Sequence, residues 1–210
     1  MQKNQVLLAT RNQGKLKELS DMLASCKLSV LGLQNFPELG EVEEDSPTFA
    51  GNALKKARYA AEHTGLYAIA DDSGLVVDAL GGAPGVRSAR YAERVENGCL
   101  IPGNDAANMA RLLKELDGVP MAERTARFCC AMAAVSPDGR ELLTEGFWEG
   151  SIALAPKGSN GFGYDPVFID SQSGLHAAEL SPEEKNARSH RGKALAALLV
   201  QWTEFWRPGS

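Results

Sequence analysis

Two adjacent carboxylates, Asp71 and Asp72, follow the apolar run Tyr67-Ala68-Ile69-Ala70 and precede Ser73-Gly74-Leu75. Residues 67–70 read as a brief buried strand that rises into the acids. Side chains alternate across a strand, so the two acids point in different directions unless the chain has already turned. One can then face a site while the other ties down the surrounding loop. Two carboxylates at a strand end suit Mg²⁺, which takes oxygen ligands and keeps several waters. The same Asp-Ser-Gly composition also suits a solvated turn, and this stretch by itself leaves both readings open. Glu43 and Glu44, in the acidic segment 38–45, are either further ligands opposite Asp72 or simple solvated charge.

Groups suited to anions and to a flat ring lie elsewhere on the chain. A strand over residues 5–10 runs into Arg11-Asn12-Gln13-Gly14-Lys15, and Leu16, Leu19, Met22 and Leu23 then recur at helical spacing. Such a junction aims backbone N–H groups and the positive end of a helix into the loop, which favours an anion. Lys15 is unfavourable for the helix dipole there, which suggests an anion beside it; an ordinary surface lysine is the competing reading. The Walker spacing is absent. Lys55, Lys56 and Arg58 lie along the next helix. The segment Pro156-Lys157-Gly158-Ser159-Asn160-Gly161-Phe162-Gly163-Tyr164-Asp165-Pro166 combines glycines for close backbone approach with aromatic faces for a base. Lys185, His190, Arg191 and Lys193 add cationic or titratable groups within nine residues.

The elements that must position these groups are legible in outline. Residues 28–33 read as a second strand. Ser46 as N-cap and Pro47 at the first helical position start a helix through about His63. Residues 75–80 read as a separate short strand, 81–85 as a tight turn and 97–104 as an irregular loop, with Asn104 or Asp105 capping a helix to Leu116. A long strand over 124–135, a turn at Ser136-Pro137-Asp138-Gly139 and a return strand over 141–149 follow. Short strands are expected at 151–154 and 167–169. Ser181-Pro182-Glu183-Glu184 is a second helix start, and Leu195, Leu198, Leu199 and Trp202 mark the buried face of a last helix.

Composition narrows the partners. A chain of 210 residues is long enough for one large domain or two small ones with a substantial core. A net charge of -5 gives no overall attraction to nucleic acid or an anionic membrane, so phosphates must be held by locally placed Lys and Arg. No signal-peptide pattern is present, and no apolar run approaches the ~20 residues of a membrane span. Cys26, Cys99, Cys129 and Cys130 form no C-x-x-C pair, so buried free thiols and a cytoplasmic location are expected. His63, His176 and His190 are too few for a histidine-rich zinc site.

Acids for a metal, cations for phosphates and an aromatic glycine loop for a base are together what hydrolysis of a nucleoside triphosphate requires. On these residues the sequence resembles the inosine/xanthosine triphosphate pyrophosphatase family. The resemblance runs through Thr10-Arg11-Asn12-Gln13-Gly14-Lys15, Glu43-Glu44, Thr48-Phe49 with Asn52-Ala53, Ala70-Asp71-Asp72-Ser73-Gly74-Leu75 and Gly81-Gly82-Ala83-Pro84-Gly85. It continues through Ser88-Ala89-Arg90-Tyr91, Gly161-Phe162-Gly163-Tyr164-Asp165-Pro166, Ala178-Glu179-Leu180, Glu184-Lys185 and Ser189-His190-Arg191, and so covers nearly the whole chain.

The resemblance implies a single α/β domain over residues 1–210, with an elongated mixed sheet, flanking helices and two lobes around a central cleft. It implies Mg²⁺-dependent cleavage of ITP, dITP and XTP to monophosphate and pyrophosphate by a homodimer, without nucleic-acid polymer or membrane as partner. By motif match, Thr10, Arg11, Asn12, Gln13, Gly14 and Lys15 grip the triphosphate with Lys56. Asp72 is the catalytic carboxylate together with Lys15, as base or as metal ligand beside Glu44, with Asp71, a further metal ligand, and Ser73 in support. Phe162 stacks on the purine, and Gly163, Tyr164, Asp165, Lys185, His190 and Arg191 frame base and sugar. Cys99-Leu100-Ile101-Pro102-Gly103 departs from the family pattern. The rivals are a related pyrophosphatase for modified pyrimidines or other bases, and a nucleotide-sensing module without turnover.

Overall fold

The computed structural model of the chain describes residues 5–24, 26, 28–96 and 99–206. They fall into two compact units. The first comprises Met1–Asp72, Cys130–Gly146 and His190–Ser210, the second Ser73–Cys129 and Phe147–Ser189. A six-stranded sheet has the order β2-β1-β3-β6-β7-β8. Its strands are β1 (Gln5–Leu8), β2 (Ser29–Gly32), β3 (Tyr67–Val77), β6 (Thr125–Val135), β7 (Glu141–Ile152) and β8 (Phe168–Asp170). β1 pairs parallel with β2 and β3, while β7 and β8 pair antiparallel, so the sheet is mixed. β4 (Arg94–Glu96) and β5 (Cys99–Ile101) form a separate antiparallel ribbon. The helices are α1 (Gln13–Leu23), α2 (Phe49–Thr64), α3 (Asp105–Glu115), α4 (Pro182–Arg188) and α5 (His190–Phe205). The expected α/β class, a mixed sheet with flanking helices, is the architecture found.

In the first unit, strand alternation sorts the core into two faces. Val6 and Leu8 of β1, Tyr67 and Ile69 of β3, and Cys130, Met132 and Ala134 of β6 pack with Leu19 and Leu23 of α1 and Leu195, Leu198 and Trp202 of α5. The intervening residues Leu7, Ala9, Ala68, Ala70, Ala131 and Ala133 pack with Ala53, Ala57, Ala60 and Ala61 of α2. Alanine on both sides of that second contact removes side-chain bulk and lets α2 lie close on the sheet. Of the four residues whose spacing predicts a buried face, Leu195, Leu198 and Trp202 are buried and Leu199 is half-buried against them.

The second unit is centred on Leu75, Val77, Phe128, Trp148, Ile152, Phe168 and Leu112. Two buried charged groups organise it. Arg124 donates to the carbonyls of Leu116 at 2.7 Å, Val119 at 3.0 Å and Ala153 at 3.3 Å, which satisfies the C-terminal end of α3 with a cation. Asp170 accepts from Trp148 Nε1 at 2.8 Å, Ser173 Oγ at 2.7 Å and Arg188 at 3.1 Å. Arg124→Ala is expected to strand two buried carbonyls and one half-buried one, and to cost about 3 kcal/mol, read as a lower urea midpoint. A midpoint equal to that of the unsubstituted chain would remove Arg124 from the list of structural determinants.

Several local expectations are corrected. β3 does not end at the acids: it continues through Val77, so Asp71 and Asp72 lie mid-strand and residues 75–80 form no separate strand. β1 pairs with β3 only at residues 67–69; beyond the acids the strand keeps its other sheet neighbour, β6, and a bridge from Val76 to Pro84, and these long-range contacts override the turn propensity of Asp-Ser-Gly. The N-cap of α2 is Thr48, whose side chain accepts from the Gly51 N–H, not Ser46. Residues 151–152 belong to β7, and the loop expected at 97–104 contains β5. Cys129 and Cys130 are buried free thiols, but Cys26 is half-buried and Cys99 exposed. No helix among the described residues is long and apolar enough to cross a membrane. Arg207-Pro208-Gly209-Ser210, whose sequence reads as a loose tail, lies outside the described residues.

Candidate active site

The alternation that sorts the core also sorts the two acids. Asp71 continues the series of Tyr67 and Ile69 and meets the helices of that face: Lys15 Nζ of α1 stands 3.0 Å from its Oδ2 and Arg191 Nε of α5 at 3.4 Å. Arg191 is paired in turn with Glu18, one turn beyond Lys15 on α1. Asp72 continues the series of Ala68 and Ala70 and meets α2. Its Oδ2 accepts from Asn52 Nδ2 at 3.0 Å, and its Oδ1 lies 3.4 Å from Lys56 Nζ. Lys56 also donates to Glu44 Oε1 at 2.6 Å, so one ammonium joins the acidic loop to the strand.

Opposite faces give the adjacent carboxyls opposite acidities. Burial alone would raise Asp71, but the charges of Lys15, Arg191 and Lys56 outweigh it and hold this carboxyl well below the usual carboxylate range. Asp72 is pushed up, first by burial and further by Glu44, against the pull of Lys56, Lys15 and Asn52. Lys56 is raised although burial opposes it, because Asp72, Asp71 and Glu44 surround it. Adjacent groups driven apart in this way are a recurrent feature of acid–base sites.

The β1–α1 junction is built from short local bonds. Asn12 caps α1 by accepting from the Lys15 N–H at 3.0 Å, while Thr10 Oγ1 accepts from the Asn12 N–H at 3.3 Å. Gln13 and Gly14 open the helix, and Arg11 reaches away to the Leu39 carbonyl at 2.6 Å. His190 is the first residue of α5 and is buried, as is Arg191.

The second unit holds its own cluster. Asp165 Oδ2 accepts from Lys185 Nζ at 2.6 Å and from the Phe162 N–H at 2.8 Å, and the Lys185 ammonium lies 4.9 Å from the Phe162 ring centroid. Gly161 has φ +76°, and a Cβ there would strike the Asp165 carboxylate, so this position requires glycine. The Gly163 N–H donates to Asp105 at 2.9 Å, and Tyr164 donates to the Ser88 carbonyl at 2.9 Å. Ser73 is half-buried on β3.

For a metal, the described residues contain no group of three or more His, Cys, Asp or Glu side chains. Glu44 and Asp72 nonetheless converge on a single cation, the Lys56 ammonium. That donor set fits Mg²⁺, which is commonly bound through one or two carboxylates with water and substrate phosphates completing the shell. Asp71, fully buried between two cations, is turned toward Lys15 and Arg191. Two contributors carried no role in the sequence reading. Glu18 is visible only as an acid three residues after Lys15; Asn52 stands in the motif Thr48-Phe49 with Asn52-Ala53, one turn before Lys56, but nothing in that motif gives it a role.

These features define an α/β protein with an acid–cation centre spread over both faces of one strand. Residues 6–201 match the Ham1 family, and the chain belongs to it. It is 61% identical over 209 residues to the dITP/XTP pyrophosphatase of Nitratidesulfovibrio vulgaris, covering 99% of this chain and 100% of that one. It is 50% identical to the dITP/XTP pyrophosphatase of Geobacillus kaustophilus over 96% of this chain and 95% of that one. The solved HAM1 protein of Coxiella burnetii matches with a TM-score of 0.82 and 42% identity, covering 95% of this chain and 98% of that chain.

Proposed function

We propose that the chain is a Mg²⁺-dependent pyrophosphohydrolase that cleaves ITP, dITP and XTP to the monophosphate and pyrophosphate, clearing deaminated purines from the nucleotide pool. The observation that carries this reading is the divergence of the two acids: Asp71 is locked as an anion between Lys15 and Arg191, while Asp72 is raised beside Lys56 and Glu44. The names of the relatives supply the substrate class.

In this mechanism Thr10, Asn12, Gln13, Gly14 and Lys15 hold the triphosphate with Lys56, whose charge offsets that of the phosphate oxygens. Asp72 orients a water and accepts its proton as the oxygen attacks the α-phosphorus; the bond to the β-phosphate oxygen breaks and pyrophosphate leaves. An elevated carboxyl is the better base for that transfer. Glu44 and Asp72 would hold Mg²⁺, which when bound would add to the neutralisation of the phosphates. Asp71 fixes Lys15. Phe162 stacks on the base, in a loop shaped by Asp165 and Lys185. His190 and Arg191 supply donors for a 6-oxo purine; adenine would leave such donors unpaired, which is how the site rejects it. The working form is a cytoplasmic homodimer, as the family resemblance implies.

The test is pyrophosphate release from ITP, XTP, GTP, ATP and dUTP, with and without Mg²⁺. Fast, metal-dependent release from ITP and XTP alone is expected. Equal release from dUTP would overturn the purine assignment, and tight ITP binding without release would move the chain to the sensor class.

A further inference from the structure

We infer that Asn52 is a positioning residue: it fixes the orientation of Asp72 and the distance between Asp72 and the loop that carries Glu44. Its side chain is buried at the start of α2. Nδ2 donates to Asp72 Oδ2 at 3.0 Å and to the Ser46 carbonyl at 3.3 Å, and Oδ1 accepts from the Ser46 N–H at 2.9 Å. The amide orientation follows from its partners. The Ser46 N–H can only donate, so the oxygen must face it, which leaves the two N–H bonds for the carboxylate and the carbonyl.

The consequence is a division of labour over the two oxygens of Asp72. Asn52 occupies Oδ2, and Oδ1 is the oxygen turned to Lys56, which also holds Glu44. Ser46 lies two residues after Glu44, so the same amide that orients the strand acid anchors the loop acid through the backbone. Asn52 and Lys56 stand one helical turn apart and therefore project from the same side of α2. Asn52 itself touches no reacting atom; it acts through Asp72 and Ser46. Groups that orient a metal ligand or catalytic base in this way affect activity by about 10–100-fold when removed.

This inference rests on the proposed activity, and its test is arranged so that the two fail separately. Asn52→Asp keeps the shape and the acceptor for Ser46 but places a second carboxylate oxygen against Asp72, whereas Asn52→Ala removes every contact. With ITP and Mg²⁺, both are expected to lower kcat about 10–100-fold with KM within about twofold. The second readout needs no turnover: urea unfolding in EDTA of Asn52→Ala, Asp72→Ala and the double variant. Non-additive midpoints are expected, because the two side chains share a buried bond. Additive midpoints, or a kcat for either variant within twofold of the parent, would overturn the role of Asn52. Absence of pyrophosphate release in the unsubstituted chain would instead overturn the activity, while the unfolding cycle would still decide the Asn52–Asp72 link. Should Asn52→Ala fail to fold, Asn52→Asp carries both readouts.

Discussion

Asp72→Asn is expected to yield a folded chain that has lost about 10³-fold or more of its pyrophosphate release from ITP. The amide is isosteric and can still bond Asn52, but it accepts no proton from water and loses the charge opposite Lys56 and beside Glu44. General-base catalysis alone accounts for about 10²–10⁴-fold, and weaker metal binding adds to it. Retention of a tenth of the activity would count against Asp72 as the base. The stability of this variant carries an independent check. Burial first, and Glu44 after it, raise the carboxyl, so the folded chain binds a proton that the unfolded chain has already released. Stability contributed by that group therefore falls as pH rises through the interval above the ordinary carboxyl value, and at neutral pH ionised Asp72 is a net cost. Asp72→Asn removes this cost. Its urea midpoint in EDTA at pH 7 is expected at or above that of the parent.

The same strand shows how far the sequence could be read. An apolar tetrapeptide leading into two acids is enough to propose a strand and to place the acids in different directions, because alternation is a covalent property of extended chain. It does not tell which acid faces which helix. That depends on α1 and α5 covering one side of the sheet and α2 the other, which follows from long-range packing. The end of β3 is illegible for the opposite reason: Asp-Ser-Gly has strong turn propensity, and only contacts distant in sequence, β6 in the sheet and the bridge from Val76 to Pro84, accompany the extended chain to Val77. Caps fared differently. Asn104 and Ser181 carry their signal within four residues and stand where expected, each accepting from a backbone N–H of the first turn. Ser46-Pro47 looked equally strong, but Ser46 is held by Asn52 and the cap passes to Thr48. Neither Glu18 nor Asn52, although the latter lies in a family motif, shows a role in the sequence, because a polar residue on a helix normally faces water. Only the buried Arg191 and Asp72 give them partners.

The neighbouring substitution is expected to do the reverse. Asp71→Ala should lower stability by about 3–5 kcal/mol, since removing one member of a buried ionic group leaves the others uncompensated. Here two cations converge on that carboxylate, Lys15 at 3.0 Å and Arg191 at 3.4 Å, and Arg191 keeps only Glu18 of its two acidic partners named here. Activity should fall as well, because Lys15 loses the group that aims it. Asp71→Asn isolates the charge from the shape and gives the effect a pH signature. Burial opposes ionisation of Asp71, but Lys15, Arg191 and Lys56 together hold the carboxyl well below its ordinary value. The unfolded chain therefore takes up the proton first on acidification. The stability supplied by this group is complete above the unfolded value of about 3.9 and is lost as pH falls toward the folded one. Urea midpoints of parent and Asp71→Asn, measured in EDTA from pH 7 downward, should differ by a constant amount to about pH 5 and converge below pH 4. A gap that stays constant across the acid range would mean that Asp71 contributes through packing or neutral hydrogen bonds. The electrostatic pin on Lys15, and with it the division of roles between the two acids, would then be lost.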